Sequence, residues 1–206
     1  MGLTRRDREY IILADGKPLM SSRMHGSEEE LATLACKRAG RLDDPCVLVG
    51  GLGMGFTLRA ALDVLPAEAM VFVAELVPAV VAWNRGPLAA LAGHPLEDAR
   101  VRVIERDVLE ALRANPGRYD AVILDVDNGP AAFTASSNNA LYVNEGIAAA
   151  RAALKDKGVL AVWSAWEDRK FEQRLRYAGF TVEVTRVRAR LKKGGPRHTL
   201  FLAALP

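Results

Sequence analysis

The sequence has few cysteines, few aromatic residues and no long apolar run. Cys36 and Cys46 are its only cysteines, one in a predicted helix and one opening a predicted strand, which argues against a disulfide framework or a cysteine-based metal site. The most hydrophobic region, residues 60–83, is interrupted by acids and prolines, and no signal peptide is recognisable. We therefore expect a cytoplasmic protein with no membrane span and no metal.

The composition is that of a folded α/β protein. Of 206 residues 50% are hydrophobic and only 6% aromatic. This composition fits a soluble protein rich in alanine and valine and excludes a disordered chain. The net charge is +3, and basic residues cluster near both ends: Arg5, Arg6, Arg8, Arg186, Arg188, Arg190, Lys192, Lys193 and Arg197. Such clusters are usually solvated surface, so nucleic acid is not the expected partner. A homodimer is left open.

Short runs rich in valine and isoleucine alternate with segments that suit helices. The runs are residues 46–49, 70–74, 101–104, 121–124 and 159–163, and the predicted helices are 55–65, 78–91, 108–113, 144–155 and 168–178. Arg102 apart, the runs are continuously apolar, which indicates a parallel sheet covered on both faces, as in a doubly wound fold.

Both ends of the chain predict antiparallel hairpins. At the C-terminus, "FTVEVTRVRARL" and "HTLFLAAL" flank the turn "KKGGPR". At the N-terminus, "YIILADGKPLM" turns at Asp15 and Gly16 and is followed by a helix predicted to be capped around Ser27. We expect residues 1–40 to form an N-terminal hairpin-and-helix attachment and residues 41–206 to form the main Rossmann-like domain.

The stretch "CVLVGGLGMGFTLRAALDVL" places a glycine-rich bend between a buried strand and a helix. Such a bend lets a ligand approach the backbone at the positive end of the helix. Gly51, Gly53 and Gly55 follow a G-x-G-x-G spacing, and Phe56 stands where the dinucleotide fingerprint has its third glycine. This spacing favours an adenosyl sulfonium ligand over NAD. The alternative is a tight turn without a ligand.

Two acids follow the next two predicted strands. Glu75 ends the second strand about twenty residues after the glycines, where a carboxylate can accept both ribose hydroxyl protons. Asp107 follows the third strand and could accept from the exocyclic amine of adenine. The alternative for Glu75 is that it is a surface acid that caps the next helix. The alternative for Asp107 is that it is the N-cap of the next helix, a role that it could combine with ligand binding.

The fourth predicted strand ends in "YDAVILDVDNGP", which brings Asp125 and Asp127 to the carboxyl edge of the sheet. Open α/β folds place their chemistry at this edge. A carboxylate there can orient an amine, remove its proton or offset the charge of a sulfonium. The alternative is that Asp125 and Asp127 are only turn residues that precede Gly129 and Pro130.

In this order the motifs resemble the polyamine aminopropyltransferases, the spermidine synthase family, built on the fold of class I S-adenosylmethionine-dependent methyltransferases. "VLVGGLGMGFTLRAALD", Glu75, "DARVRVIERD" and "YDAVILDVDNGP" carry the resemblance. It implies a seven-stranded sheet of order 3-2-1-4-5-7-6 with the last strand antiparallel. It also implies an S-adenosylmethionine or decarboxylated S-adenosylmethionine donor, bound by the three glycines, Glu75 and Asp107, and an amine or other nucleophilic acceptor met by Asp125 and Asp127.

The sequence departs from this family at three places. Met54 occupies the position of the acid that holds the donor's aminopropyl amine, and "DVDNGP" replaces D-S-S-D-P, so the second acid falls on Asn128. "MHGSEEELA" stands where the family has its polyamine-side acids and tyrosine. Because of Met54, we expect S-adenosylmethionine to bind at least as tightly as its decarboxylated form unless another acid reaches the ammonium group.

The favoured function is spermidine-synthase-like aminopropyl transfer to an amine, with methyl transfer to a small molecule as a close alternative. The position of the acceptor relative to the sulfonium decides between them, and the fold does not. A nucleoside-binding protein without turnover and a binding module that uses the basic C-terminal hairpin are the alternatives of another class.

Overall fold

The computed structural model describes residues 1–126, 129–130, 139–190 and 195–206. A three-stranded antiparallel sheet formed by β1 to β3 precedes a seven-stranded sheet formed by β4 to β10. The strands are β1 (Gly2–Arg6), β2 (Glu9–Ala14), β3 (Lys17–Ser21), β4 (Cys46–Gly50), β5 (Met70–Ala74), β6 (Val101–Ile104), β7 (Tyr119–Leu124), β8 (Leu154–Ser164), β9 (Thr181–Arg188) and β10 (Arg197–Ala204).

The large sheet has the order β6-β5-β4-β7-β8-β10-β9. Numbered within this sheet, the order is 3-2-1-4-5-7-6. Strand β10 runs antiparallel to both of its neighbours, whereas β4 pairs in parallel with β5 and β7. The predicted doubly wound fold and its strand order are confirmed.

Seven α-helices are found in the described residues. They are α1 (Gly26–Ala39), α2 (Phe56–Val64), α3 (Pro78–Arg85), α4 (Val108–Arg113), α5 (Asn139–Tyr142), α6 (Asn144–Ala153) and α7 (Arg169–Tyr177). The predicted helix 78–91 is too long: α3 stops at Arg85, and a short 3₁₀ helix occupies Ala89–Ala92. Gly86 and Pro87 explain the interruption, because neither favours a helix interior. None of the described helices is long and apolar enough to cross a membrane.

The N-terminal segment differs from its prediction in two respects. The predicted hairpin is present as β2 and β3, but β1 adds a third strand by pairing with β2. Ser27 does not cap α1, because the helix already begins with a bond from the Glu29 N–H to the His25 carbonyl oxygen (3.1 Å). Ser27 is instead buried, and its hydroxyl oxygen accepts a hydrogen bond from the Trp163 indole (3.0 Å).

Alternate side chains of the central strands enter two apolar layers. Val47 and Val49 of β4 pack with Leu31 of α1 and Leu58 of α2 on one face of the sheet. Leu48 packs on the opposite face, in a layer to which α4, α6 and α7 contribute. The helices therefore cover both faces, and the ends of the strands are left to form a site.

Candidate active site

A cavity of about 370 Å³ lies between the carboxyl ends of the parallel strands and the N-terminal sheet. This volume falls within the range of small-molecule sites. The predicted residues on its wall are Gly51, Gly53, Glu75, Asp107 and Asp125. Residues far apart in the sequence thus meet in one concave site.

The glycine bend between β4 and α2 needs its glycines. Gly51, Gly53 and Gly55 have φ angles of +86°, +50° and +84°, a region that side chains disfavour. A Cβ at Gly51 would also collide with the carbonyl oxygen of Asp125. Gly55 is not on the cavity wall; it gives room to the side chain of Asn84, which donates to the Gly53 carbonyl oxygen (2.8 Å).

Glu75 is buried and fixed by backbone groups. Its Oε2 accepts from the Leu52 N–H in the glycine bend (2.9 Å), and its Oε1 accepts from the Val77 N–H (2.8 Å). The side chain is 9% exposed, so the alternative of a surface acid is wrong. Each carboxylate oxygen has a second lone pair, which leaves the group able to accept hydrogen bonds from a diol.

Asp107 is the N-cap of α4 and also lines the cavity. Its Oδ1 accepts from the N–H groups of Leu109 (2.7 Å) and Glu110 (3.4 Å). The cap does not use Oδ2. The N-cap interpretation is confirmed. Binding of adenine by Asp107 stays a prediction that is compatible with the cap, because a capping carboxylate can present its other oxygen to a ligand.

Asp125 follows β7 and reaches the cavity next to the glycine bend. The Thr57 hydroxyl in the first turn of α2 donates to its Oδ2. Burial raises the pKa of Asp125 to about 6, against the effect of that hydrogen bond. Asp125 is thus a carboxylate at neutral pH with an increased affinity for protons. The second predicted catalytic acid, Asp127, lies outside the described residues.

Glu28 is a cavity residue that sequence reasoning missed. It lies in the first turn of α1 and is only 6% exposed. Burial, and then the negative charge of Asp125, raise the pKa of Glu28 well above its ordinary value. An acid in a helical first turn has the same sequence signature whether it is buried or solvated, so the sequence contained no signal that would have singled it out.

Trp163 and His198 also line the cavity, and they too were missed. The Ser27 hydroxyl links them, because it is 3.0 Å from the Trp163 indole nitrogen and 2.7 Å from His198 Nδ1. Burial lowers the pKa of His198, so its imidazole is neutral at neutral pH. Trp163 ends a predicted strand, and this position was the only feature of the sequence that could have identified it as a site residue.

Met54 does not face the cavity. It is 1% exposed and packs in a small apolar cluster with Ile12, Phe56 and Leu88, beneath the N-terminal sheet. The Met54 side chain is therefore part of the hydrophobic core. The side chain at position 54 is not part of the cavity lining.

The strand order and the site at the carboxyl edge define a Rossmann-like fold of the methyltransferase type. Comparison with curated proteins matches the chain to polyamine aminopropyltransferase 2 of Streptomyces coelicolor, with 34% identity over 203 residues, 89% of this chain and 35% of the relative. The chain thus spans about a third of the length of the curated relative that it matches. No family model matches the chain.

Solved structures share the fold at low sequence identity. Spermidine synthase from Thermotoga maritima aligns with a TM-score of 0.73 and 18% identity, over 100% of this chain and 72% of that one. Precorrin-6y C5,15-methyltransferase from Geobacter metallireducens GS-15 aligns with a TM-score of 0.65 and 19% identity, over 95% and 94% of the two chains. The resemblance to polyamine aminopropyltransferases on a methyltransferase fold is confirmed.

Proposed function

We propose that the chain is a group transferase that moves an alkyl group from an adenosyl sulfonium donor to a small amine, with aminopropyl transfer as the first candidate. The observation that carries this proposal is the meeting of Glu75, Asp107 and Asp125 with the glycine bend in one cavity. The 34% identity to a polyamine aminopropyltransferase supports the same choice.

The donor half of the site is formed by the glycine bend and two acids. Gly51 and Gly53 allow the nucleoside to approach the backbone, while Glu75 accepts from the ribose hydroxyls. Asp107 accepts from the adenine amine through the oxygen that the α4 cap does not use. Glu75 is held by two backbone N–H groups before any ligand arrives, so its orientation is set in advance.

Asp125 acts on the acceptor amine. The amine enters as an ammonium ion and loses a proton to the Asp125 carboxylate. Its nitrogen lone pair then forms a bond to a carbon attached to the sulfonium, and the C–S bond breaks with its electron pair going to sulfur. The products are a neutral thioether, an alkylated ammonium ion and one proton, which Asp125 releases to the solvent. A pKa near 6 suits this base, because Asp125 is ionised at neutral pH and yet takes up a proton more readily than an ordinary aspartate.

Methyl transfer is the second candidate, and position 54 favours it. An aminopropyl donor carries a primary ammonium that needs an acceptor, and Met54 is buried in an apolar cluster instead. Methyl transfer uses the same donor pocket and the same displacement. The difference lies in which carbon faces the acceptor.

The test is product analysis with each donor. Purified protein is incubated with 1,4-diaminobutane and either decarboxylated S-adenosylmethionine or S-adenosylmethionine, and the amine is analysed by mass spectrometry. We expect an added aminopropyl group with the first donor, lost in Asp125→Asn and retained in Asp43→Asn, a substitution at an exposed aspartate. An added methyl group with the second donor would establish the alternative. Tight donor binding without any product across a panel of amines would identify a nucleoside-binding protein.

A further inference from the structure

Acidic side chains outnumber basic side chains in the wall of the cavity. Four acids line it: Glu28, Glu75, Asp107 and Asp125. Among the described lining residues there is no lysine or arginine, and burial keeps the imidazole of His198 neutral. A concave site with this charge pattern favours a cationic ligand.

Glu28 is the acid whose charge is least compensated. Its Oε2 is fully buried and accepts no hydrogen bond from any described residue. Its neighbours make this worse, because Asp125 and Glu29 both place negative charge near it. A hydrogen bond from its own backbone N–H offsets part of this effect at Glu28, whereas Glu75 and Asp107 accept from backbone N–H groups of other residues. A buried carboxylate oxygen without a donor is costly to maintain, so it requires an explanation such as a ligand.

The wall around Glu28 is suited to an alkylammonium ion. Trp163 lines the same cavity, as do Met20 and Leu19 of β3, and Trp166 is 54% exposed at its wall. These side chains can contact methylene groups, and an indole face also attracts a cation. The site therefore combines an apolar wall with an acidic end.

We propose that Glu28, together with Asp125, binds a primary ammonium group of a substrate in this cavity. Glu28 reaches from α1 and supplies the carboxylate that position 54 does not. The ammonium group belongs either to the aminopropyl chain of the donor or to the acceptor amine. This inference rests on the proposed function, since it assumes that the same cavity holds the nucleoside of the donor.

The experiment is calorimetry with wild type, Glu28→Gln and the control Glu30→Gln, which changes an exposed acid in the same helical turn. Three probes are used: decarboxylated S-adenosylmethionine, 5′-methylthioadenosine, which has the nucleoside but no ammonium, and 1,4-diaminobutane. We expect Glu28→Gln to weaken an ammonium-bearing probe about ten- to hundredfold, the usual loss for a hydrogen bond to a charged group. Binding of 5′-methylthioadenosine should not change, and Glu30→Gln should behave as wild type.

The probes separate the two sources of the ammonium group. Weaker binding of the decarboxylated donor assigns Glu28 to the donor chain, and weaker binding of the diamine assigns it to the acceptor. Unchanged affinity for both, with 5′-methylthioadenosine still bound, would overturn the inference and leave the proposed function intact. Failure of wild type to bind any adenosyl probe would contradict the proposed function instead, while the diamine titration would still test Glu28.

A stability measurement tests whether any loss of binding in Glu28→Gln results from misfolding. Replacing Glu28 by glutamine removes a buried ionisable group whose charged form burial and the charge of Asp125 disfavour, so the thermal midpoint of the free protein should stay equal or rise. A markedly lower midpoint in Glu28→Gln, but not in Glu30→Gln, would indicate a structural role and count against ligand binding.

Discussion

Asp125 should make the folded protein less stable at neutral pH than it would be with a neutral residue in its place. Its pKa rises from an ordinary 3.8 to about 6 in the folded state, chiefly because of burial. The folded state therefore binds a proton more tightly than the unfolded state, and stability falls as the pH rises between these two values. A difference of about two pKa units corresponds to about 3 kcal/mol.

The substitution Asp125→Asn tests this magnitude. Asparagine cannot ionise and keeps an oxygen that can accept from the Thr57 hydroxyl. We expect the free energy of unfolding to increase by about 3 kcal/mol at pH 8. At pH 4 the increase should be less than about 1 kcal/mol, because Asp125 is protonated in the folded state and is near its titration midpoint in the unfolded state.

Urea unfolding followed by circular dichroism at the two pH values measures the difference directly. Asp43→Asn, at an exposed aspartate, serves as the control and should change stability little at either pH. A gain in stability that does not depend on pH, or a loss of stability at pH 8, would refute the view that the ionised carboxylate of Asp125 destabilises the folded state. A gain in stability together with a loss of transfer would be expected of a catalytic residue.

Three further predictions concern ligands. Glu75→Ala should weaken any adenosyl ligand by about 1.5–3 kcal/mol, because a charged acceptor is lost, and unchanged affinity by calorimetry would return Glu75 to a structural role. Arg186 and Arg188 lie on the edge strand β9, and Arg186 pairs with Glu167. We expect no salt-sensitive RNA or DNA binding; submicromolar binding that is lost when both are neutralised would contradict this. Decarboxylated S-adenosylmethionine should bind more than about tenfold tighter than S-adenosylmethionine, whose carboxylate would enter an acidic cavity, and equal affinities would argue for methyl transfer.

The strands and their order could be predicted because each element has a local signature. Continuous apolar runs mark β4, β5 and the second part of β7, and a run interrupted only by Arg102 marks β6. The glycines and prolines between elements mark where they end. Strand β1, "GLTRR", had no such signature, because it is polar and is held by backbone pairing with β2. Strand β8 begins at Leu154, where a helix was predicted, since "LKDKG" lacks the apolar pattern of a buried strand.

Some residues of the site could likewise be predicted from the sequence and others could not, and this difference affects which donor is expected to bind more tightly. Glu75, Asp107 and Asp125 follow strands, so the strand-end rule could find them. Glu28 lies on a helix whose burial depends on packing against distant parts of the sheet, and no local pattern specifies that. The expectation drawn from Met54, that the intact donor binds at least as tightly, held only if no other acid reached the ammonium group. The proposed role of Glu28 would remove that condition, and the preference for one donor over the other would then depend on α1 rather than on the glycine bend.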